Sequence, residues 1–284
     1  MLSFFQRTRA ANSSLRRLHT STRTQPRRKM DFFTTRPQPT TIRPLFRRTF
    51  ANGFYDPYQT YTSARFAVRT IIALNTIVFG GWSYAAYNGD RKLTQWLSEN
   101  FTLSANNFNS GRYWTLITSA FSHQNLTHFL FNMLAFNAFA GILAGGGIGA
   151  LHISSLCIGS AICGSFAFLY QRAYPGGSRR MISGRLQVES SGLGASGMVM
   201  GAGMAAACLM PTAPMGLIFP PVVLPLWVLT AVYVGIDTYF LHSETSRIGH
   251  SAHLGGAIYG AAYYLGYLRK YGGVWSMVRR LARR

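Results

Sequence analysis

The chain has 284 residues, of which 48% are hydrophobic and only 12% charged, too few charges and too many long apolar runs for an ordinary soluble domain. Its formal net charge of +21 is concentrated at the two ends: residues 1–50 hold 11 Arg and one Lys against the single acid Asp31, and Arg269, Lys270, Arg279, Arg280, Arg283 and Arg284 crowd the C-terminus. No continuous basic face with stacking aromatics results, so the charge does not describe a nucleic-acid binder.

Residues 1–30 are rich in Arg, Ser and Thr and free of acids, the composition of a mitochondrial targeting presequence, and they contain no long apolar core of the secretory kind. Met1 to His19 reads as the targeting helix, with Arg16-Arg17-Leu18-His19-Thr20-Ser21 as the approach to a processing site. Residues 31–64 carry Pro37, Pro39, Pro44 and Pro57 amid Thr and Arg and read as a flexible linker. The folded domain is expected from Arg65, spanning residues 65–270, with a basic tail over 271–284.

A helix crossing the hydrocarbon core needs roughly 20 mostly apolar residues. Six stretches qualify: Phe66 to Tyr87, His128 to Leu143, Ile148 to Tyr170, Leu193 to Met210, Leu217 to Leu241, and Ala252 to Leu268. The expected fold class is therefore an all-α polytopic membrane protein, a six-transmembrane-helix bundle. Successive spans alternate in direction, so the second, fourth and sixth begin on one face of the bilayer. Basic residues flanking spans stay on the side of insertion, which places both termini in the matrix. The loop with Arg172, Arg179, Arg180 and Arg185 against Glu189 runs counter to that rule, and the termini outweigh it.

The first loop, Asn88 to Thr127, is long for a compact domain. Its Tyr113, Trp114 and Phe121 suit a segment in the membrane interface, as a flank of substrate access or as a structural anchor. His128 and Asn132 follow, four residues apart and so on one face at the start of the second span. Polar groups there are costly in lipid unless they point at protein or water. They serve equally as interhelical hydrogen-bonding groups or as donors to an oxyanion, the Asn from its amide and the His from a ring N–H.

Ser196 lies in Gly194-Ala195-Ser196-Gly197 at the start of the fourth span. A serine hydroxyl needs a base and a stabilised oxyanion to act as a nucleophile, and the free N–H groups and dipole of a first helical turn favour developing negative charge. The alternative is a small-residue packing stripe, Gly197 and Gly201 being four apart. Gly-x-Ser-x-Gly of the soluble hydrolase elbow would require glycine at Met198.

Asp237, late in the fifth span, is an intramembrane acid and a functional candidate on that ground; it is expected to pair with a polar neighbour rather than act as a triad acid. In the sixth span, His253 shares a helical face with Gly256 and Gly260, so that face can press against another helix with the imidazole held in the contact. A partly buried neutral His is a suitable general base. His250 is the rival base, without the glycine face. The three cysteines, Cys157, Cys163 and Cys208, lie within spans without metal-type spacing; no disulfide, metal or cofactor is expected. No internal repeat of the mitochondrial-carrier kind occurs.

Taken together, His128-Phe129-Leu130-Phe131-Asn132, Gly194-Ala195-Ser196-Gly197 and Ala252-His253-Leu254-Gly255-Gly256, in this order across six spans, resemble the rhomboid intramembrane serine proteases over residues 66 to 270. The mitochondrial, presenilin-associated rhomboid-like branch is most similar, in Gly-Ala-Ser-Gly, in Met200 where bacterial members often carry Tyr, and in Asp237. The resemblance implies a rhomboid-like six-helix fold and a Ser196–His253 dyad without a third acid. It also implies His128, Asn132 and the Ser196 N–H as oxyanion donors, and substrates that are themselves transmembrane segments of inner-membrane proteins, such as a dynamin-like GTPase precursor. Gly194, Gly197, Gly256 and Gly260 are expected to leave room for substrate and for helix packing.

Two departures accompany the resemblance. Mitochondrial members usually carry an extra span before the core, whereas residues 31–64 are too polar to cross. Many rhomboids have Arg after the Trp of the first loop, whereas this chain reads Gly111-Arg112-Tyr113-Trp114-Thr115. The expectation is a multi-pass serine endopeptidase of the mitochondrial inner membrane, with the bilayer and transmembrane substrates as partners and no nucleic acid. A non-catalytic rhomboid-like protein that binds membrane helices is the alternative, and a transporter a third class.

Overall fold

The computed structural model describes residues 56–173, 191–216, 221–243, 246 and 248–283, which are almost wholly helical. The expected presequence, most of the expected linker and the basic stretch from Arg179 to Glu189 lie outside the described residues. The chain divides near Ala51, and the unit that follows holds every element below.

Helix α1 spans Pro57–Asn88. It begins at Pro57 rather than near Arg65 because Asp56 caps it, accepting the Tyr58 N–H at 2.8 Å, and Pro57 at the first helical position has no N–H to lose. A proline that suggested linker is here a helix start. The helix ends at Gly89, whose φ of +62° suits the left-handed cap. The first loop is largely structured. Within it α2 (Arg91–Phe101) is capped by Asp90, α3 (Ala105–Asn109) by Ser104, and α4 (Thr115–Thr118) runs into a 3₁₀ turn, Ser119–Phe121. Leu97 of α2 packs with Trp82 and Ala85 of α1, holding the loop against the bundle.

The next helices are α5 (Leu126–Gly145) and α6 (Ala150–Ala173). The Asn125 side chain caps α5 by accepting the His128 N–H at 3.0 Å. Then come α7 (Ser196–Leu209) and a short antiparallel pair, β1 (Pro214–Gly216) with β2 (Val223–Pro225), Met215 opposite Leu224. Helix α8 (Leu226–Tyr239) begins later than Leu217, because Val223 to Pro225 within that apolar run pair as β2 and Pro225 stands immediately before the helix. Helix α9 (His250–Tyr263) continues through a π turn, Tyr264–Leu268, into a 3₁₀ turn, Arg269–Tyr271. The basic tail contains a further helix, α10 (Val274–Leu281), fixed by the Tyr264 hydroxyl, which donates to the Gly272 carbonyl at 2.6 Å and accepts the Trp275 N–H at 2.9 Å.

Helices α1, α5 and α6 are long and apolar enough to cross a membrane; α7 and α8 are apolar but shorter, at 14 residues each. Phe66 and Ile77 of α1, Phe131 and Leu134 of α5, Leu151 and Phe166 of α6, and Trp227 and Val232 of α8 point outward. Large apolar side chains exposed around several helices are what lipid-facing surfaces require. The protein is a multi-pass membrane protein.

At its centre stands α7, from Gly197 to Leu209 almost entirely buried and composed largely of Gly, Ala, Met and Val. Lipid tails give no hydrophobic incentive for helices to associate, so close main-chain approach has to supply van der Waals contact instead. Glycines make that approach possible. A Cβ on Gly256 of α9 would lie 2.1 Å from the Gly197 carbonyl oxygen of α7, and one on Gly260 2.2 Å from that of Gly201. Helix α6 closes the group, since a Cβ on Gly164 would lie 2.7 Å from the Ala252 carbonyl oxygen and one on Gly201 1.9 Å from Ser160 Oγ.

Candidate functional site

The chemistry-bearing residues fall at the helix starts on one side of this three-helix contact. Ser196 is the first residue of α7 and is half-buried. No side chain caps that first turn, so its N–H groups stay available to an incoming anion. His253 lies one turn into α9, its side chain 17% exposed. The next residue on α7, Gly197, faces the carbonyl of Ala252, the residue before His253, with a built Cβ only 3.4 Å from that oxygen. Ser196 and His253 thus flank the point where α7 and α9 touch.

The turn into α7 is tied to the first loop by three backbone–backbone hydrogen bonds and one from the backbone to a side chain. Gly192 and Leu103 exchange N–H···O contacts at 2.8 and 2.7 Å, the Gly194 N–H donates to the Ser119 carbonyl at 2.9 Å, and the Ala195 N–H donates to His123 Nε2 at 3.3 Å. Gly194 has φ +124°, and a Cβ there would stand 2.6 Å from His128 Cε1. Glycine is required twice over, by the backbone angle and by the imidazole against it. The loop is itself anchored: Trp82 Nε1 donates to Ser122 Oγ at 2.6 Å, Ser165 Oγ to the Leu116 carbonyl at 2.8 Å, and Arg112 pairs with Glu99 at 3.3 Å. Trp114 reaches Asn100 at 3.2 Å. The arginine two places before the Trp therefore supplies an ionic tie within the loop.

His128 sits near the start of α5, its ring against Gly194 and within electrostatic reach of His253. Asn132, one turn later and buried, donates one amide N–H to the His128 carbonyl at 2.8 Å. Its second amide proton remains for another acceptor. His123 was not singled out from the sequence. It is fully buried, stacks edge-on against His128 with centroids 5.0 Å apart, and its Nδ1 has no hydrogen-bond partner among the described residues. Burial, with a smaller contribution from His128, lowers its pKa to about 4, so it is neutral at physiological pH and can accept the Ala195 N–H. A histidine flanked by Ser122 and Gln124 in a polar loop carries no periodic signal.

Asp237, on α8, is buried, and its Oδ1 accepts from both His253 Nδ1 at 2.9 Å and His250 Nδ1 at 2.7 Å. The sequence led to a polar partner for Asp237; the structure makes that partner the candidate base itself, together with its rival. Since a carboxylate only accepts, both imidazoles carry their proton on Nδ1, which leaves Nε2 of neutral His253 with a lone pair. His250 Nε2 is engaged with Ser246 Oγ at 2.8 Å. Among the described residues His250 is thus occupied on both nitrogens, and His253 on one.

Ligand atoms of Asp237, His250 and His253 lie within 4.8 Å of one another, a grouping that could attract a metal ion. Tetrahedral zinc with bonds near 2.0–2.1 Å would hold neighbouring ligand atoms about 3.3 Å apart. The 2.7 and 2.9 Å separations are those of direct hydrogen bonds. Cys157, Cys163 and Cys208 are unbonded.

Residues 110–270 match the family described as "Rhomboid domain". The chain is 34% identical to RHOMBOID-like protein 12, mitochondrial, of Arabidopsis thaliana over 199 residues, 69% of this chain and 56% of that one. It is 31% identical to Rhomboid protein 1, mitochondrial, of Saccharomyces cerevisiae over 196 residues, 69% of this chain and 51% of that one. With Presenilin-associated rhomboid-like protein A, mitochondrial, of Danio rerio, identity is 28% over 202 residues, 70% of this chain and 47% of that one. The chain spans about half the length of the curated relatives it matches.

Proposed function

Because the chain belongs to the rhomboid family, a family that includes serine proteases, we propose that it is an intramembrane serine endopeptidase of the mitochondrial inner membrane that cleaves transmembrane segments of other proteins. In this reading the bundle crosses six times, with α7, α8 and α9 completing what α1, α5 and α6 begin. Ser196 is the nucleophile and His253 the general base. Three mitochondrial relatives support the compartment.

The reaction runs in two halves. His253 Nε2 takes the Ser196 proton as Oγ attacks the scissile carbonyl; the oxyanion is met by the Ser196 N–H at the uncapped start of α7, by the free amide proton of Asn132 and by His128. His253 then returns the proton to the departing amine, leaving an acyl group on Ser196. Water, deprotonated by His253, releases the acid and regenerates the site. The substrate strand must be unwound where it meets Ser196, since a helical peptide bond hides its carbonyl in the helix ladder. The resemblance to rhomboid proteases implies transmembrane proteins as substrates, an inner-membrane dynamin-like GTPase precursor among them.

The observation that carries this reading is the α7–α9 contact, which brings the Ser196 turn against the segment bearing His253 while Asp237 leaves Nε2 as the free nitrogen of that imidazole. The test is cleavage of a helical transmembrane substrate by purified protein in detergent. Ser196→Ala is expected to abolish cleavage with an unchanged thermal midpoint; substrate binding with no cleavage by the unmodified protein would favour a non-catalytic binder of membrane helices.

A further inference from the structure

We infer that Asp237 is a positioning residue for His253 and that His250 holds Asp237 in that role, so that the site is a Ser–His–Asp line with a second imidazole behind the acid. The inference rests on the reading of Ser196 as nucleophile and His253 as base.

The four groups form one chain of contacts among the described residues: Ser246 Oγ to His250 Nε2 at 2.8 Å, His250 Nδ1 to Asp237 Oδ1 at 2.7 Å, and Asp237 Oδ1 to His253 Nδ1 at 2.9 Å. They come from three places in the fold. Asp237 is on α8, Ser246 is in the connection, and both histidines are on the first turn of α9. The side chains of Asp237 and His250 are each 6% exposed. A carboxylate so far from water in an apolar helix needs partners, and two N–H groups converging on one oxygen provide them.

Each link has a consequence for the base. The Asp237 carboxylate can only accept, so it selects the Nδ1–H tautomer of His253 and turns Nε2 outward as the lone pair. When His253 takes the Ser196 proton, the new imidazolium already faces an anion. His250 fixes the anion. With one N–H on Oδ1 from each side, the carboxylate has one favoured rotation, and the His250 ring is held by Phe240, stacked with centroids 5.8 Å apart and planes 23° apart. Ser246 does for His250 what Asp237 does for His253: it occupies the far nitrogen.

Asp237→Asn, His250→Ala, His250→Asn and Ser196→Ala would be purified beside the unmodified protein, with kcat and KM measured on a transmembrane substrate and thermal midpoints on the same samples. Asp237→Asn is expected to lower kcat by about 100-fold or more with KM unchanged, because an amide no longer dictates the tautomer. His250→Ala is expected to lower kcat about tenfold, the scale of one hydrogen bond to a charged group. His250→Asn places its amide nitrogen where Nδ1 was, so it should recover most of the rate. Both lose the ring on Phe240, so their thermal midpoints should fall together. Wild-type kcat in Asp237→Asn, or equal rates in the two His250 variants, would overturn the inference. Should Asp237→Asn not fold, the His250 pair decides, since both keep the carboxylate. Cleavage by Ser196→Ala would overturn the nucleophile assignment instead, a separate outcome.

Discussion

Replacing Gly256 by Ala tests whether the α7–α9 contact sets the active geometry. The added Cβ would sit 2.1 Å from the Gly197 carbonyl oxygen, 2.8 Å from its carbon and 3.0 Å from Cα. All three are main-chain atoms and no side chain can swing away, so the helices must part by about 1 Å to reach ordinary contact. Overpacking of this kind costs about 1–3 kcal/mol of stability. Between a nucleophile and its base, a displacement of about 1 Å costs about 100-fold in rate. Gly260→Ala makes the same clash one turn further along, 2.2 Å from the Gly201 oxygen and about 6 Å from the first at 1.5 Å per residue. It should cost similar stability but less than about tenfold in kcat, the α7–α9 contact near Ser196 being intact. Gly235→Ala on α8, whose Cβ would meet nothing within 4 Å, is the control and should be neutral or stabilising by about 0.5–1 kcal/mol. Thermal midpoints and kcat on a transmembrane substrate supply both axes. If Gly256→Ala melts lower yet cleaves at the wild-type rate, or if Gly260→Ala is as inactive as Gly256→Ala, the contact does not align the site.

Two further predictions concern the turn into α7. Gly194→Ala must abandon φ +124° and push back the His128 ring, 2.6 Å from the new Cβ; kcat at saturating substrate should fall about 100-fold, the cost of one displaced oxyanion donor, and unchanged kcat would exclude His128 from that role. His123 titrates near 4 folded against 6.5 unfolded, so the unfolded chain binds the proton first. Its contribution is complete above pH 6.5 and is lost as pH falls toward 4, about 3 kcal/mol across that window. Thermal midpoints of wild type and His123→Gln, whose amide oxygen can still accept the Ala195 N–H, should converge as the pH drops; parallel curves would show that His123 is not the group responsible.

The helices were legible from hydropathy because each apolar run is bounded by polar or glycine residues. The errors lie where a local rule competed with another. Pro57 reads as linker until Asp56 before it is recognised as a cap, and Val223 to Pro225 read as helix within the Leu217 run although they form a strand. Glycine spacing on α9 indicated a close helix contact but not which helix would fill it; α7 does, through Gly197 and Gly201. The ties around the site were hidden for a different reason. Asp237 is 16 residues from His253 and 13 from His250, and His123 is 72 from Ala195. Contacts at such separations leave no periodic trace in one sequence; only the fold brings them together. An acid inside a span marked Asp237 as a candidate, and the structure shows the two imidazoles it hydrogen-bonds.

Helices α6, α7 and α9 meet main chain against main chain, and that has an evolutionary consequence. An interface built from interlocking side chains can drift, one partner shrinking as the other grows, but bare peptide groups offer nothing to exchange. Gly256 and Gly260, where a Cβ would run into main-chain atoms of α7, are therefore fixed by the architecture whether or not peptide bonds are ever cut. A descendant without the Ser196 hydroxyl would still have to keep them, so their persistence in a lineage reports the scaffold, while the fates of Ser196 and His253 bear on the proposed chemistry.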